Sequence, residues 1–286
     1  MQGSGPEQSP APEALFRRML DRPEEEIDLA EAALLIAKNA YRDLDVPGYL
    51  ARISELAGKL SAQLPEDGTE SSRIVALNRF LFEDQGFAPS VENYYDPRNS
   101  FLNEVLERRV GIPLSLSILY IEVGRRIGLP LQGVSFPGHF LVKCTLKEGV
   151  VIIDPYCGGI TLSLQDLQQR LRETRGGEVS RAIVAAMLVA ANKREILARM
   201  LRNLKGIYLD QRDYVRALSA IDWIIAIMPG EATEVRDRGL IYVKLECFRA
   251  ALEDLEHYMQ KAPDAADMDE IRSHVVELRM SAARLN

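Results

Sequence analysis

Between Pro113 and Ile127 the chain carries apolar side chains on nearly every face of a helix: Leu114, Leu116, Ile118, Leu119, Ile121, Val123 and Ile127. A helix that is apolar all round cannot lie on a surface and has to be enclosed by the rest of a domain. Gly111-Ile112-Pro113 opens it, with proline where a first-turn N–H would have no partner, and Gly128-Leu129-Pro130 ends it. Arg125 and Arg126 stand in its last turn, where cations suit the negative end of the helix dipole.

A chain of 286 residues that is 47% apolar can supply that cover without disulfides. From Ala14 to Glu83 the periodicity predicts helices: Leu50, Ile53, Leu56 and Leu60 form one stripe behind a first-turn Pro47, and Ile74, Leu77 and Leu81 form another after an Asp67-Gly68 turn. A polar, aromatic loop, Glu92 to Arg98, comes next, and Asn99 or Ser100 is positioned to cap the helix carrying Phe101, Leu102, Val105 and Leu106. Past the enclosed helix the period drops towards two. Residues 131–136, 140–146 and 150–153 read as strands of an antiparallel meander, and Ser163 with Asp166 starts a further helix.

The C-terminal third repeats itself. A shift of 34 residues superposes Tyr208 on Tyr242, Ala217 on Ala251, Leu218 on Leu252, Ile221 on Leu255 and Pro229 on Pro263, the period of a tetratricopeptide helix pair. One unit has Gly239 at the small position three residues before its tyrosine, whereas the other has Lys205 there. The reading is two such units and a closing helix near Met268 to Arg284. The expected organisation is a lead over residues 1–12, an α+β domain with a helical N-terminal part over 13–180, and an all-α repeat domain over 181–286.

Charge and cysteines narrow the function. A formal net charge of −7 disfavours nucleic acid as a partner. Three cysteines with no C-x-x-C pair point to a reduced, cytoplasmic protein. No leader pattern or membrane-length apolar run is present, so no membrane association is expected. No phosphate-binding glycine fingerprint occurs, and no cofactor is expected.

One histidine, His139, lies in the mixed region; His257 and His274 fall in the repeats as surface or packing residues. His139 opens one strand after Pro137-Gly138, and Asp154 ends the next. A carboxylate beside an imidazole fixes its tautomer and raises its basicity, as a general base requires, although such a pair also occurs as a plain structural hydrogen bond. With Glu148-Gly149 as a two-residue hairpin turn, Asp154 pairs with Lys143, about 13 Å along the strand from His139, so contact needs a shifted turn or a bulge. Ser115 and Ser117 in the first turn of the enclosed helix are the available hydroxyls; each can instead bond to its own helix. A metal site from His139, Cys144, Asp154 and Cys157 lacks the short ligand spacing of structural zinc sites, and Cys157 reads as a semi-buried loop thiol.

Four ordered blocks, Asn93-Tyr94-Tyr95-Asp96-Pro97-Arg98-Asn99-Ser100-Phe101-Leu102-Asn103, Arg109 to Ser117, Phe136-Pro137-Gly138-His139-Phe140-Leu141-Val142 and Asp154-Pro155-Tyr156, carry a further signal. They resemble the bacterial transglutaminase-like proteins with C-terminal tetratricopeptide repeats, a family once labelled invasion-gene regulator. The resemblance implies a papain-like α+β core in which a central helix start meets a strand histidine and a strand aspartate. His139 and Asp154 match those two positions, and the superfamily's nucleophilic cysteine falls on Pro113. Two functions are implied. One is a non-catalytic or altered module that binds a protein or peptide through its repeats and a cleft lined by Tyr94, Asp96, Asn99, Pro113, Ser117 and Tyr156. The other is a serine-type amide or ester hydrolase, or an acyl-transfer enzyme, using Ser115 or Ser117 with His139 and Asp154. A third reading makes the polar blocks structural.

Overall fold

The computed structural model describes residues 11–284, with side chains to residue 280. The first ten residues of the expected lead lie outside that range, whereas Ala11 and Pro12 already begin a helix. The chain divides into two compact units, Met1–Leu197 and Ala198–Asn286.

In the first unit, helices α1 (Pro12–Leu20), α2 (Leu29–Ala40), α3 (Val46–Ser61) and α4 (Glu70–Asn78) precede a π-helical turn, Arg79–Asp84. Asp28, Asp45 and Thr69 cap α2, α3 and α4 by accepting main-chain N–H bonds. Two short strands, β1 (Ala88–Pro89) and β2 (Val110–Gly111), pair in parallel around α5 (Leu102–Arg108). Helix α6 (Pro113–Arg126) is buried at every residue from Pro113 to Gly124, so its sequence and its surroundings agree. Strands β3 (Leu131–Val134), β4 (Leu141–Leu146), β5 (Gly149–Asp154) and β6 (Ile160–Thr161) form one antiparallel sheet in chain order.

Helix α7 (Leu164–Arg175) starts on the Ser163 and Asp166 capping pair, and α8 (Arg181–Met187) comes after it. Leu167 and Leu171 of α7 and Val184 of α8 pack in one buried cluster with Val134, Phe136, Leu141 and Ile152. That shared core carries the first unit past the expected boundary at residue 180, to Leu197. One cap differs from expectation. Neither Asn99 nor Ser100 caps α5, whose N-cap is Phe101 with no side-chain bond; residues Pro97–Asn99 form a 3-10 turn capped by Asp96.

The second unit continues α9 (Lys193–Asp210) into α10 (Tyr214–Ile227), α11 (Ala232–Lys244), α12 (Phe248–Lys261) and α13 (Met268–Arg284). Ala251, Leu255, Tyr258, Ile271 and Val275 form its buried seam. Gly239 is small because a Cβ there would stand 2.9 Å from Leu255. At the equivalent place, Lys205 extends its Nζ to Glu234 Oε2 at 2.7 Å and Asp237 Oδ2 at 2.8 Å, while Arg202 Nε takes Glu234 Oε1 at 2.7 Å. The departure from the repeat pattern is thus one member of an ion-pair network around a buried glutamate. Among the described residues no helix is long and apolar enough to cross a membrane.

Candidate functional site

Asp154 ends β5 and caps the 3-10 turn Pro155–Cys157. Its Oδ1 accepts the main-chain N–H groups of Tyr156 at 3.1 Å and Cys157 at 3.3 Å and lies 2.8 Å from His139 Nε2. Its Oδ2 accepts Arg170 Nη1 at 2.7 Å. Burial pushes this fully enclosed carboxyl upward, but the bonds and charges of His139 and Arg170 outweigh it and hold the pKa at about 2. The carboxylate is then acceptor-only at neutral pH, so Nε2 carries the shared hydrogen.

The contact exists because the hairpin turn is shifted. Leu146 pairs with Gly149, so the two turn residues are Lys147 and Glu148, and Lys143 pairs with Ile152 rather than with Asp154. That one-residue shift of the turn brings Asp154 two residues closer to His139, which sits in a bend just before β4. Outside the sheet, a second anchor holds the loop after Asp154. Asn78 Nδ2 donates to Gly159 O at 2.7 Å, and Tyr120 OH donates to Asn78 Oδ1 at 2.7 Å.

Tyr156 stands edge-on to the His139 ring with centroids 5.8 Å apart, and its hydroxyl donates to the Ser90 carbonyl at 2.9 Å. Burial raises its phenol pKa, with Tyr94, Cys157 and Asp154 adding to the rise, which brings Tyr94 into the same neighbourhood. Tyr94 itself packs edge-on against the exposed Tyr95 at 5.3 Å. The other two polar loop residues are structural ties. Asp96 holds Arg98 through both oxygens, and the fully buried Asn99 donates to Ser90 Oγ and the Asn93 carbonyl while accepting from Arg108.

The first turns of α6 lie against the start of β4, where Ser117 Oγ is 3.5 Å from the Phe140 carbonyl. Pro113 occupies the first helical position. Ser115 Oγ accepts from Ile112 N–H at 3.1 Å and donates to the Asn99 carbonyl at 2.6 Å. Both serines are buried, and both hydroxyls are committed to main-chain groups. Neither Cys144 nor Cys157 offers an activated thiolate. Burial pushes Cys144 up to about 11, and Cys157, exposed rather than semi-buried, is raised by desolvation of its thiol and then by Asp154. Among the described residues no three His, Cys, Asp or Glu side chains are grouped to hold a metal ion.

The four sequence blocks lie within a segment that matches a known family. The family profile described as "Transglutaminase-like superfamily" matches residues 48–202. The chain belongs to the transglutaminase-like superfamily. A tetratricopeptide repeat profile matches residues 204–275, so this transglutaminase-like protein carries its repeats C-terminally. Among curated relatives, a UPF0162 protein of Xylella fastidiosa strain Temecula1 is 40% identical over 92% of this chain and 94% of its own length. A UPF0162 protein of Pseudomonas aeruginosa is 31% identical over 90% and 93%, and Protein SirB1 of Salmonella typhimurium is 28% identical over 79% and 82%. No solved structure matches the chain.

Arg170, Asn78, Ser90 and Arg108 escaped the sequence reading. Arg170 had a signal: it lies three residues after Leu167 and beside Leu171 on the buried face of an otherwise polar helix. Asn78 and Ser90 had none, because their partners lie 81 and 66 residues away.

Proposed function

We propose that this transglutaminase-like protein is a non-catalytic binding module that engages a peptide or protein partner, with the His139 cleft in its first unit and the repeats in its second as recognition surfaces. The observation that carries this is the fate of the nucleophile. Pro113, on which the resemblance puts the superfamily cysteine, opens α6, and the two nearby hydroxyls, Ser115 and Ser117, are buried on main-chain carbonyls. A base without a nucleophile in its own chain can still orient a partner by hydrogen bonding. The exposed Val91, Tyr94 and Tyr95 beside it are of the kind that interfaces use. Tetratricopeptide units bind extended or helical segments, and the net charge of −7 supports a protein rather than a nucleic-acid partner. Three unpaired cysteines fit a reducing cytoplasm.

The test is turnover of p-nitrophenyl esters and of glutamine-to-amine transfer by the wild type and His139→Ala, beside binding of both to an array of random hexapeptides. The expected result is background turnover in both proteins and peptide binding that His139→Ala weakens. Turnover that disappears in His139→Ala would overturn the reading in favour of the serine-type enzyme.

A further inference from the structure

Beside the dyad, and separated from it by Tyr156 and Ser90, is a pocket of about 310 Å³ under the loop that carries Tyr94 and Tyr95. That is the lower end of the size range of small-ligand sites. Ser90, Asp96, Arg98 and Arg108 are among its lining residues. Asp96 and Arg98 neutralise one another through a short ion pair, 2.6 Å between Oδ2 and Nη2. Glu92 is exposed at the rim, where water screens it. Arg108, whose charge helps to hold the Asp96 carboxyl below its usual range, is the cation in the wall without an ion-pair contact among the described residues.

Arg108 differs in kind from the other cations nearby. Its Nη2 donates to a neutral acceptor, Asn99 Oδ1 at 2.9 Å, and no carboxylate lies within ion-pair distance of it among the described residues. Its Nη1 is shut off from solvent with no hydrogen-bond partner at all. Ser90, 5% exposed, repeats the situation: its Oγ accepts from Asn99 Nδ2 at 2.9 Å, and among the described residues its own hydroxyl hydrogen has no acceptor. Two residues therefore hang from the two ends of one buried amide, each with a donor short of an acceptor, and both residues line one pocket. A folded chain seldom leaves buried donors unmet, and a donor to a charged acceptor gains more than one to a neutral acceptor.

We propose that this pocket binds a carboxylate, supplied by an acidic side chain or the C-terminus of a bound peptide, with Arg108 and Ser90 as its donors and Tyr94 and Tyr95 flanking it. The proposal rests on the reading of the cleft as a peptide site and names the group by which that peptide is anchored. A carboxylate supplies two acceptor oxygens and one negative charge, which suits a hydroxyl without an acceptor and a guanidinium without an ion pair.

Two measurements test it together. In the first, the intact wild-type protein is titrated with acetate and, separately, with the neutral isostere acetamide, and the Ser90 amide and Arg108 Nε–H signals are followed by NMR. In the second, N-acetylated hexapeptide arrays compare Glu with Gln and free with amidated C-termini, on the wild type, Arg108→Lys, Arg108→Gln and Ser90→Ala. Expected are shifts with acetate that acetamide does not reproduce, and preferential capture of acid-bearing peptides. Arg108→Gln should weaken that capture about tenfold or more, and Arg108→Lys, which keeps the charge but not the fork, by less. Because Arg108 also supports Asn99, the wild-type acetate comparison stands whether or not the glutamine variant folds.

Peptide capture without any preference for acids, and unchanged by Arg108→Lys, overturns the carboxylate pocket and leaves the peptide-binding reading intact. Acetate shifts with no peptide captured by any protein keep the pocket, assign it to a free small carboxylate, and overturn the peptide source. Absence of both responses overturns the pocket itself.

Discussion

Arg170 Nη1 donates to Asp154 Oδ2 at 2.7 Å, taking the carboxylate oxygen that His139 does not. The acid that orients the imidazole is therefore itself gripped from α7, by a side chain outside the four sequence blocks. The grip keeps a fully buried carboxylate ionised and both of its oxygens occupied.

Removing that grip tests its weight. Arg170→Met leaves Asp154 buried with His139 and two main-chain N–H groups, a partial rather than complete loss of compensation. The expected destabilisation is about 2–3 kcal/mol, at or just below the lower end for breaking a buried pair, read as a lowered urea midpoint at unchanged slope. A loss under about 0.5 kcal/mol would mean that the pair behaves as a surface bridge.

The same acid sets a pH dependence. Its folded pKa of about 2 lies below its ordinary 3.8, so protons bind the unfolded state more readily. The stabilisation is complete above about pH 5 and is lost as pH falls through about 4 towards 2, amounting to about 2 kcal/mol. Urea unfolding at a series of pH values from about 6 down to about 2 traces that loss. In Asp154→Asn this segment should be missing from the difference between the two stability curves.

Gly158 and Gly159 make an internal control. Both have positive φ, 70° and 78°, yet a Cβ on Gly158 meets nothing within 4 Å, whereas one on Gly159 would stand 2.2 Å from Asn78 Oδ1. Gly158→Ala should cost about 1 kcal/mol for its backbone alone. Gly159→Ala should cost about 2–4 kcal/mol, because it also breaks the Asn78 bridge. Paired thermal melts of the two variants give the comparison.

Lys205 supports Glu234 where the repeat pattern has a small residue. Lys205→Met leaves Glu234 with Arg202 and leaves Asp237 with Arg236. About 1–3 kcal/mol of stability should be lost, less than for a buried acid stripped of every partner. Chemical denaturation followed by the signal of Trp223, which is buried in α10, reads it from within the repeat unit.

The enclosed helix, the meander and the repeat pairs were all legible because each rests on a local period. Leu114 to Ile127 had one possible environment, and Tyr208 and Tyr242 identified their own spacing. The candidate site was legible only as residue types. Whether His139 meets Asp154 turned on which two residues make one hairpin turn, and Lys147-Glu148 and Glu148-Gly149 are equally polar candidates. The choice falls to the packing of Leu141 and Ile152 on α7, which no local pattern contains. Ser115 stayed ambiguous for a different reason. A hydroxyl at a helix start has the same sequence signature whether it attacks a substrate or, as here, closes the turn onto the Asn99 carbonyl.

The π-helical turn over Arg79–Asp84 makes this fold unevenly tolerant of changes in length. Gln85 N–H reaches back five residues to the Phe80 carbonyl, so the turn holds one residue more than an α-helix would need. A one-residue deletion there would let the turn close into ordinary α geometry, and because the wider turn rotates less per residue, the downstream chain would keep nearly the same direction relative to Asn78. Phe82, stacked on Tyr120, the residue that fixes Asn78 and through it Gly159, is the side chain that such a deletion has to spare. An insertion at the Lys147-Glu148 hairpin tip displaces no such contact. Gaps between this chain and its relatives are therefore expected at the hairpin tip and, as single residues other than Phe82, between residues 79 and 84.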